Sequence, residues 1–206
     1  HAERRAARGI RPVRPIWMDV EKGKQYPVFN VRKGSGKKGR FTYPNDAKNA
    51  YGGGPKRNQW VVDRPGVLVA TAGHLHPGGL YTDLKLRRRG KTVPLFRSKA
   101  KYFEPAGAVS WDVAMTGTRP DWRVKVRRGD VLSVSATYDT RRASWWESMG
   151  IMVTYMADGG PGKNPFKTKV NKPGRVTHGH LAENNNHGGG AGGLPDPRTL
   201  PDGVDN

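Results

Sequence analysis

Hydrophobic and polar residues alternate with a period of two through the middle of the chain. The alternation is clearest between residues 59 and 156, where short apolar runs are separated by turns rich in Gly, Pro and charged residues. A period of two is typical of β-strands, and no helical period of 3.6 residues intervenes. The pattern predicts an all-β fold, an antiparallel β-sandwich or jelly roll. We predict strands at residues 16–20, 26–31, 59–62, 66–73, 80–86, 92–96, 122–126, 131–138 and 149–156.

Two pairs of predicted strands are joined by short charged turns that contain Gly. Residues 87–91 follow the strand at 80–86, and residues 127–130 follow the strand at 122–126. A short turn between two alternating runs predicts a β-hairpin. We therefore predict one hairpin around each turn.

Gly and Pro divide the chain into three parts. We predict a basic N-terminal arm at residues 1–15, a β-sandwich domain at 16–165 with its core at 59–156, and a poorly structured C-terminal tail rich in His and Gly at 166–206. Within the domain, residues 32–57 form a long loop rich in Gly and Lys. This loop lacks the Gly-Lys-Ser/Thr ending of a phosphate-binding loop.

The chain is strongly basic, with 37 Lys and Arg against 17 Asp and Glu and a formal net charge of +20. Such a charge favours anionic polymers, for example cell-wall polymers or nucleic acid. No recognition helix, zinc-finger spacing or aromatic RNA-binding motif accompanies the charge. A basic surface that serves self-association or solubility therefore stays open beside polymer binding.

The absence of cysteine limits the kinds of cross-link, catalysis and metal site that the protein can have. It excludes disulfides, thiolate catalysis and Cys-zinc sites. No apolar run approaches the ~18–20 residues that span a bilayer, so we expect no transmembrane segment. The sequence begins with His1 rather than Met, which suits a processed end or a fragment boundary, and we expect an extracellular or cell-surface location.

Five of the six histidines form two clusters, and each cluster opens with His-x-His. In the first cluster, His74 and His76 follow an apolar run at residues 67–72; if that strand continues, both side chains point to one face. Two neutral imidazoles form a chelate that copper or zinc accepts. The second cluster, in the tail, is a weaker candidate for metal binding and consists of His178, His180 and His187.

The segment Gly73-His74-Leu75-His76-Pro77-Gly78-Gly79, the segment at 144–156 and the strands between them resemble a known family. They are similar to the second domain of the copper type II, ascorbate-dependent monooxygenases, which include peptidylglycine α-hydroxylating and dopamine β-monooxygenase. The resemblance covers roughly residues 60–165 and is closer to the related stress-up-regulated nodulin-like proteins and similar bacterial proteins. In the monooxygenases a His-x-His pair and a distant Met bind the copper that activates oxygen. The resemblance implies a copper site at His74, His76 and Met149.

Two imidazoles and one thioether suit Cu(I) and leave a coordination position open for oxygen. The monooxygenases hold a second copper on a preceding domain with three histidines, two of them adjacent. This chain has no His-His pair, and only His1 precedes His74. Either that domain lies upstream of this sequence or the protein lacks it, so the two-copper hydroxylation mechanism is not carried over. The disulfides of the family are missing too.

The sequence leaves several functions open. The first is a copper-binding, monooxygenase-like protein, which as an enzyme would be an incomplete copper-dependent oxidoreductase. The alternative is a non-enzymatic basic surface or assembly protein that binds anionic polymers or itself. A third hypothesis places copper on the α-amine and ring of His1. No Gly-x-Ser-x-Gly motif or acid–base pair supports a hydrolase. Three carboxylates lie near the predicted sheet, namely Asp112, Asp139 and Glu147. Of these, Asp139 and Glu147 are candidates for orienting an imidazole, or alternatively for ending a strand or pairing with Arg141 or Arg142.

Overall fold

Antiparallel strands make up nearly all the regular structure of the computed structural model, which describes residues 11–102 and 113–177. One short 3-10 turn spans Ala50–Gly53, and the predicted all-β fold is confirmed. The strands are β1 (Val13–Asp19), β2 (Phe29–Val31), β3 (Arg40–Tyr43), β4 (Gln59–Val61), β5 (Gly66–Leu75), β6 (Gly79–Arg88), β7 (Lys91–Lys101), β8 (Ala114–Thr118), β9 (Val124–Val126), β10 (Val131–Asp139), β11 (Trp145–Ser148), β12 (Gly150–Ala157) and β13 (Pro173–Thr177).

The strands form two facing sheets and a small ribbon. The smaller sheet has the order β1-β12-β5-β9, and the larger has the order β13-β8-β7-β6-β10-β3, with β4 also paired to β10. Strands β11 and β2 form the ribbon. Side chains from both sheets share one core, as in a β-sandwich, and they include Met18, Leu75, Leu84, Phe96, Leu132 and Met152. In the part of the chain described, no helix is long and apolar enough to cross a membrane.

One of the two predicted hairpins is confirmed and the other is wrong. Strands β6 and β7 pair around Arg89 and Gly90, which both have positive φ, as a tight two-residue turn requires. Strand β9 instead pairs with β5, while β10 pairs with β6, β3 and β4. The turn between them carries the chain from one sheet to the other. Its Asp130 carboxylate accepts hydrogen bonds from the Arg127 N–H and from the Arg88 guanidinium, both at 2.7 Å.

The β structure also extends past the predicted boundaries. Strand β1 begins at Val13, inside the predicted arm. Strand β3 lies within the predicted loop, where Phe41 and Tyr43 are buried. Strand β13 lies in the segment predicted as a tail, where it pairs with β8. Just before it, Val170 is buried and its carbonyl accepts a hydrogen bond from the Trp122 indole. Structure therefore continues beyond residue 165, while the rest of the predicted arm and tail, at 1–10 and 178–206, lies outside the described residues.

Candidate metal centre

The His-x-His pair lies where β5 ends. His74 belongs to the strand, which stops at Leu75, and His76 begins the turn into β6, where its carbonyl accepts the Gly79 N–H at 3.1 Å. The two imidazole centroids are 5.3 Å apart with perpendicular planes, although His74 is exposed and His76 is only 8% exposed. The structure thus brings the two rings together. The turn after β5, rather than the alternation along the strand, determines the position of His76.

The turn needs glycine because it passes beneath an indole. Gly78 has φ +83°, and a Cβ there would lie 2.1 Å from the ring of Trp145. No L side chain fits so close a contact. Trp145 therefore packs directly on the turn that carries His76.

A backbone carbonyl orients the His76 ring. The Nδ1 atom lies 2.5 Å from the carbonyl oxygen of Glu147, so Nδ1 carries the hydrogen and Nε2 carries the lone pair. Glu147 has φ +52° and lies at a register shift in the β11–β2 ribbon. A left-handed conformation costs a non-glycine residue roughly 1 kcal/mol. Sequence reasoning named the right residue for this role, but its main chain rather than its carboxylate orients the ring.

A second carboxylate singled out from the sequence, that of Asp139, pairs with an arginine instead. Asp139 forms an ion pair with Arg141 at 2.6 Å, which is the structural role considered for it. That pairing holds the pKa of Asp139 below its ordinary value, chiefly through the hydrogen bond from Arg141. Asp112 lies outside the described residues.

One tyrosine hydroxyl joins His76 to Met149. The fully buried Tyr138 accepts the N–H groups of His76, at 3.1 Å, and Met149, at 3.0 Å, and donates to the Met149 carbonyl at 2.5 Å. Burial raises the pKa of the phenol, so it stays protonated and keeps its donor. Tyr138 was not predicted from the sequence. The available signal was a tyrosine at an inward position of β10, whose hydroxyl needs a partner once buried.

Met149 and His74 line the same cleft. Strand β12 starts directly after Met149, and its register on β5 places Ile151 opposite His74. The cleft has a volume of about 740 Å³ and lies on the outer face of the smaller sheet. Its wall is mainly apolar and includes Trp17, Pro27, Ala70, Ala72, Ile151, Val153 and Tyr155. The cleft is open to solvent on one side, where Tyr155 is 40% exposed.

The electrostatics of the pair suit metal binding. Desolvation, and then the neighbouring His76, lower the pKa of His74; desolvation likewise lowers the pKa of His76. Both shifts favour the neutral form of the ring, which is the form that binds a metal. Among the described residues, no group of three or more His, Cys, Asp or Glu side chains could hold a metal ion. A metal here needs the Met149 thioether or a ligand from outside the described ranges.

A single buried carboxylate also faces the cleft. Asp19 in β1 lies opposite Ile151, is 2% exposed and accepts the Glu21 N–H at 2.9 Å. Desolvation raises its pKa from the ordinary 3.8 to about 6. The folded protein therefore holds this proton more tightly than the unfolded chain does. The charged form of Asp19 therefore lowers the stability of the folded protein. This loss of stability is absent below the pKa that Asp19 has in the unfolded chain and is fully present above about pH 6.

Replacing Asp19 with Asn is expected to stabilise the protein at pH 8 and to have little effect at pH 4. The pKa shift corresponds to about 3 kcal/mol, and we expect roughly 2 kcal/mol because water in the cleft screens part of the charge. Asn retains an oxygen for the Glu21 N–H. Urea unfolding of both proteins at the two pH values measures the difference; equal stability at pH 8 would contradict the assignment.

The remaining histidine candidates lie outside the described residues, namely His1, His178, His180 and His187. The sequence matches no model of a known protein family. It also matches no curated protein.

Proposed function

We propose that this protein binds one copper ion through His74, His76 and Met149, as its resemblance to the copper type II monooxygenases implies. The main support is the hydroxyl of Tyr138, which contacts the main chain of both His76 and Met149. Residues 73 positions apart in the sequence are thereby held at one place, beside His74.

The donor set fits a soft ion. Neutral imidazoles and a thioether suit Cu(I), whereas Ca²⁺ and Mg²⁺ prefer carboxylate and carbonyl oxygens. The Glu147 carbonyl fixes the His76 tautomer, as a partner of a metal-bound histidine commonly does. With copper bound, such a site would supply oxygen activation. The protein would then be a copper-dependent oxidoreductase whose second copper site has no counterpart in this chain.

The cleft supplies a place for an organic substrate. Its apolar wall runs from His74 and Met149 along β12 towards Tyr155, so an apolar molecule held there would have one end at the proposed copper site. Trp17, 57% exposed on the neighbouring strand, offers a flat surface for such a molecule. These side chains would bind and orient the substrate and exclude water from it.

Titration of the protein with Cu(I) tests the proposal. We expect one equivalent to bind, with X-ray absorption showing two nitrogen ligands and one sulfur ligand. Met149→Leu keeps the side-chain volume, so it is expected to remove the sulfur signal and lower the affinity roughly tenfold without unfolding the protein. Met152→Leu is the matched control, because Met152 is fully buried in the core. A sulfur signal that persists in Met149→Leu and disappears in Met152→Leu would overturn the ligand set.

A further inference from the structure

A second concave site lies at the β8–β9 connection, outside the cleft. We call it the basic hollow, and its lining residues are Arg119, Asp121, Trp122, Arg123, Lys163, Lys169, Val170 and Lys172. Five of these eight residues carry a positive charge and one carries a negative charge, which gives a net charge of +4 (5 − 1).

The main chain around the basic hollow is anchored. The Trp122 indole donates to the Val170 carbonyl at 3.1 Å, and both residues are buried. The Lys163 N–H donates to the Arg123 carbonyl at 3.0 Å, and the Lys163 carbonyl accepts from the Lys125 N–H at 2.9 Å. The segment 163–172 is therefore fixed on the edge of β9. A ligand would need to order only the ends of the lysine side chains.

The charges of the hollow are poorly compensated. Asp121 pairs with Arg119 at 3.1 Å, but none of the ion pairs found in the described residues involves the three lysines. The Nη1 atom of Arg123 donates to three carbonyls, which holds its guanidinium at the rim. Grouping like charges costs free energy that a bound anion recovers.

The size of the hollow selects the kind of anion. Its volume of about 30 Å³ admits a single oxyanion group but not a nucleobase or a sugar ring. Its one aromatic side chain, Trp122, is 5% exposed and cannot stack on a base, unlike the platforms that bind single-stranded nucleic acid. The basic face continues past the hollow through Lys125 and Arg127, which are exposed next to β9.

We propose that the basic hollow binds the sulfate or carboxylate groups of an acidic polysaccharide. One oxyanion sits in the hollow, and further groups of the same polymer meet the cations beside β9. This activity is independent of copper, so it holds whether or not the metal centre does. Sulfate and carboxylate groups are both oxyanions that the same cations can bind, and they differ in the polysaccharide that carries them.

Binding of the full chain to heparin, polygalacturonate and a 20-base-pair DNA duplex, at several salt concentrations, tests this proposal. The variant Lys163→Gln/Lys169→Gln/Lys172→Gln is expected to lose at least about tenfold in affinity for one or both polysaccharides. The slope of log affinity against log salt should fall by about 1, because the three lysines together neutralise one oxyanion group of the polymer. The matched control, Lys33→Gln/Lys37→Gln/Lys38→Gln, removes the same charge from exposed positions before β3 and should lose less than about threefold.

Three results would contradict the proposal. Equal losses in the two triple variants would mean that overall charge, not the hollow, binds the polymer. Tighter binding of the duplex than of either polysaccharide at equal salt would mean that the surface serves nucleic acid. Loss of polysaccharide binding on copper chelation would mean that the binding depends on the metal centre. Measuring Cu(I) affinity in both triple variants separates the two proposals, because we expect it to be equal in both.

Discussion

Replacing His76 with alanine is expected to lower the Cu(I) affinity by about 100-fold or more. His76 is the buried member of the pair, and the Glu147 carbonyl fixes both its tautomer and its orientation. Loss of an orienting partner alone commonly costs 10- to 100-fold in metal affinity, so loss of the ligand itself should cost at least as much. Competition with a Cu(I) chelator of known affinity measures the change.

The control for this variant is the triple variant of the tail histidines, His178→Ala/His180→Ala/His187→Ala. If the copper site consists of His74, His76 and Met149, the triple variant keeps its affinity within about threefold. The opposite pattern, with His76→Ala unchanged and the triple variant impaired, would move the metal site into the tail. Circular dichroism of each variant separates loss of a ligand from loss of the fold.

Replacing Tyr138 with phenylalanine is expected to lower both stability and copper affinity. The ring still fills its place in the core, but the N–H groups of His76 and Met149 and the Met149 carbonyl lose their partner. Leaving buried polar groups unsatisfied costs about 1–3 kcal/mol each, and relaxation should limit the total to roughly 3 kcal/mol. The Cu(I) affinity should fall by about 30-fold because the two ligand-bearing segments are no longer fixed to each other.

Tyr43→Phe provides the matched control. Tyr43 is also buried, but its hydroxyl donates to Glu21, whereas that of Tyr138 bonds to the main chain of His76 and Met149. We expect its removal to lower stability, as measured by urea unfolding, and to leave the Cu(I) affinity unchanged. If both variants lost copper affinity equally, Tyr138 would be a core residue with no specific part in positioning the ligands.

The alternating pattern predicted the fold class because it records which face of each strand is buried. It does not record which strand lies alongside, since a strand can satisfy the same alternation in either sheet. For this reason the strand at β9 was predicted correctly but assigned to the wrong partner. Strand β13 was missed because it and Val170 are surrounded by Lys and Pro in the sequence, and Val170 is held by a hydrogen bond from Trp122, 48 residues away.

The candidate site was predictable only where one short segment carries it. The spacing of His74 and His76 indicated a chelate, and family resemblance added Met149. The contribution of Tyr138 depends on three segments meeting at a single hydroxyl, which no local pattern contains. The role of the Glu147 carbonyl could not be predicted from the sequence either, because it depends on a left-handed backbone conformation at a register shift between β11 and β2.

The cleft lies on the side of the smaller sheet that faces away from the core, so the residues that line it can change separately from those of the core. Neighbours along β12 alternate between the two sides, so Ile151 and Val153 line the cleft while Met152 between them faces inward and is fully buried. Enlarging or reducing side chains on the outer side reshapes the cavity without disturbing the packed interior. Substitutions there can therefore change the shape of the cleft while the core of the sandwich stays the same.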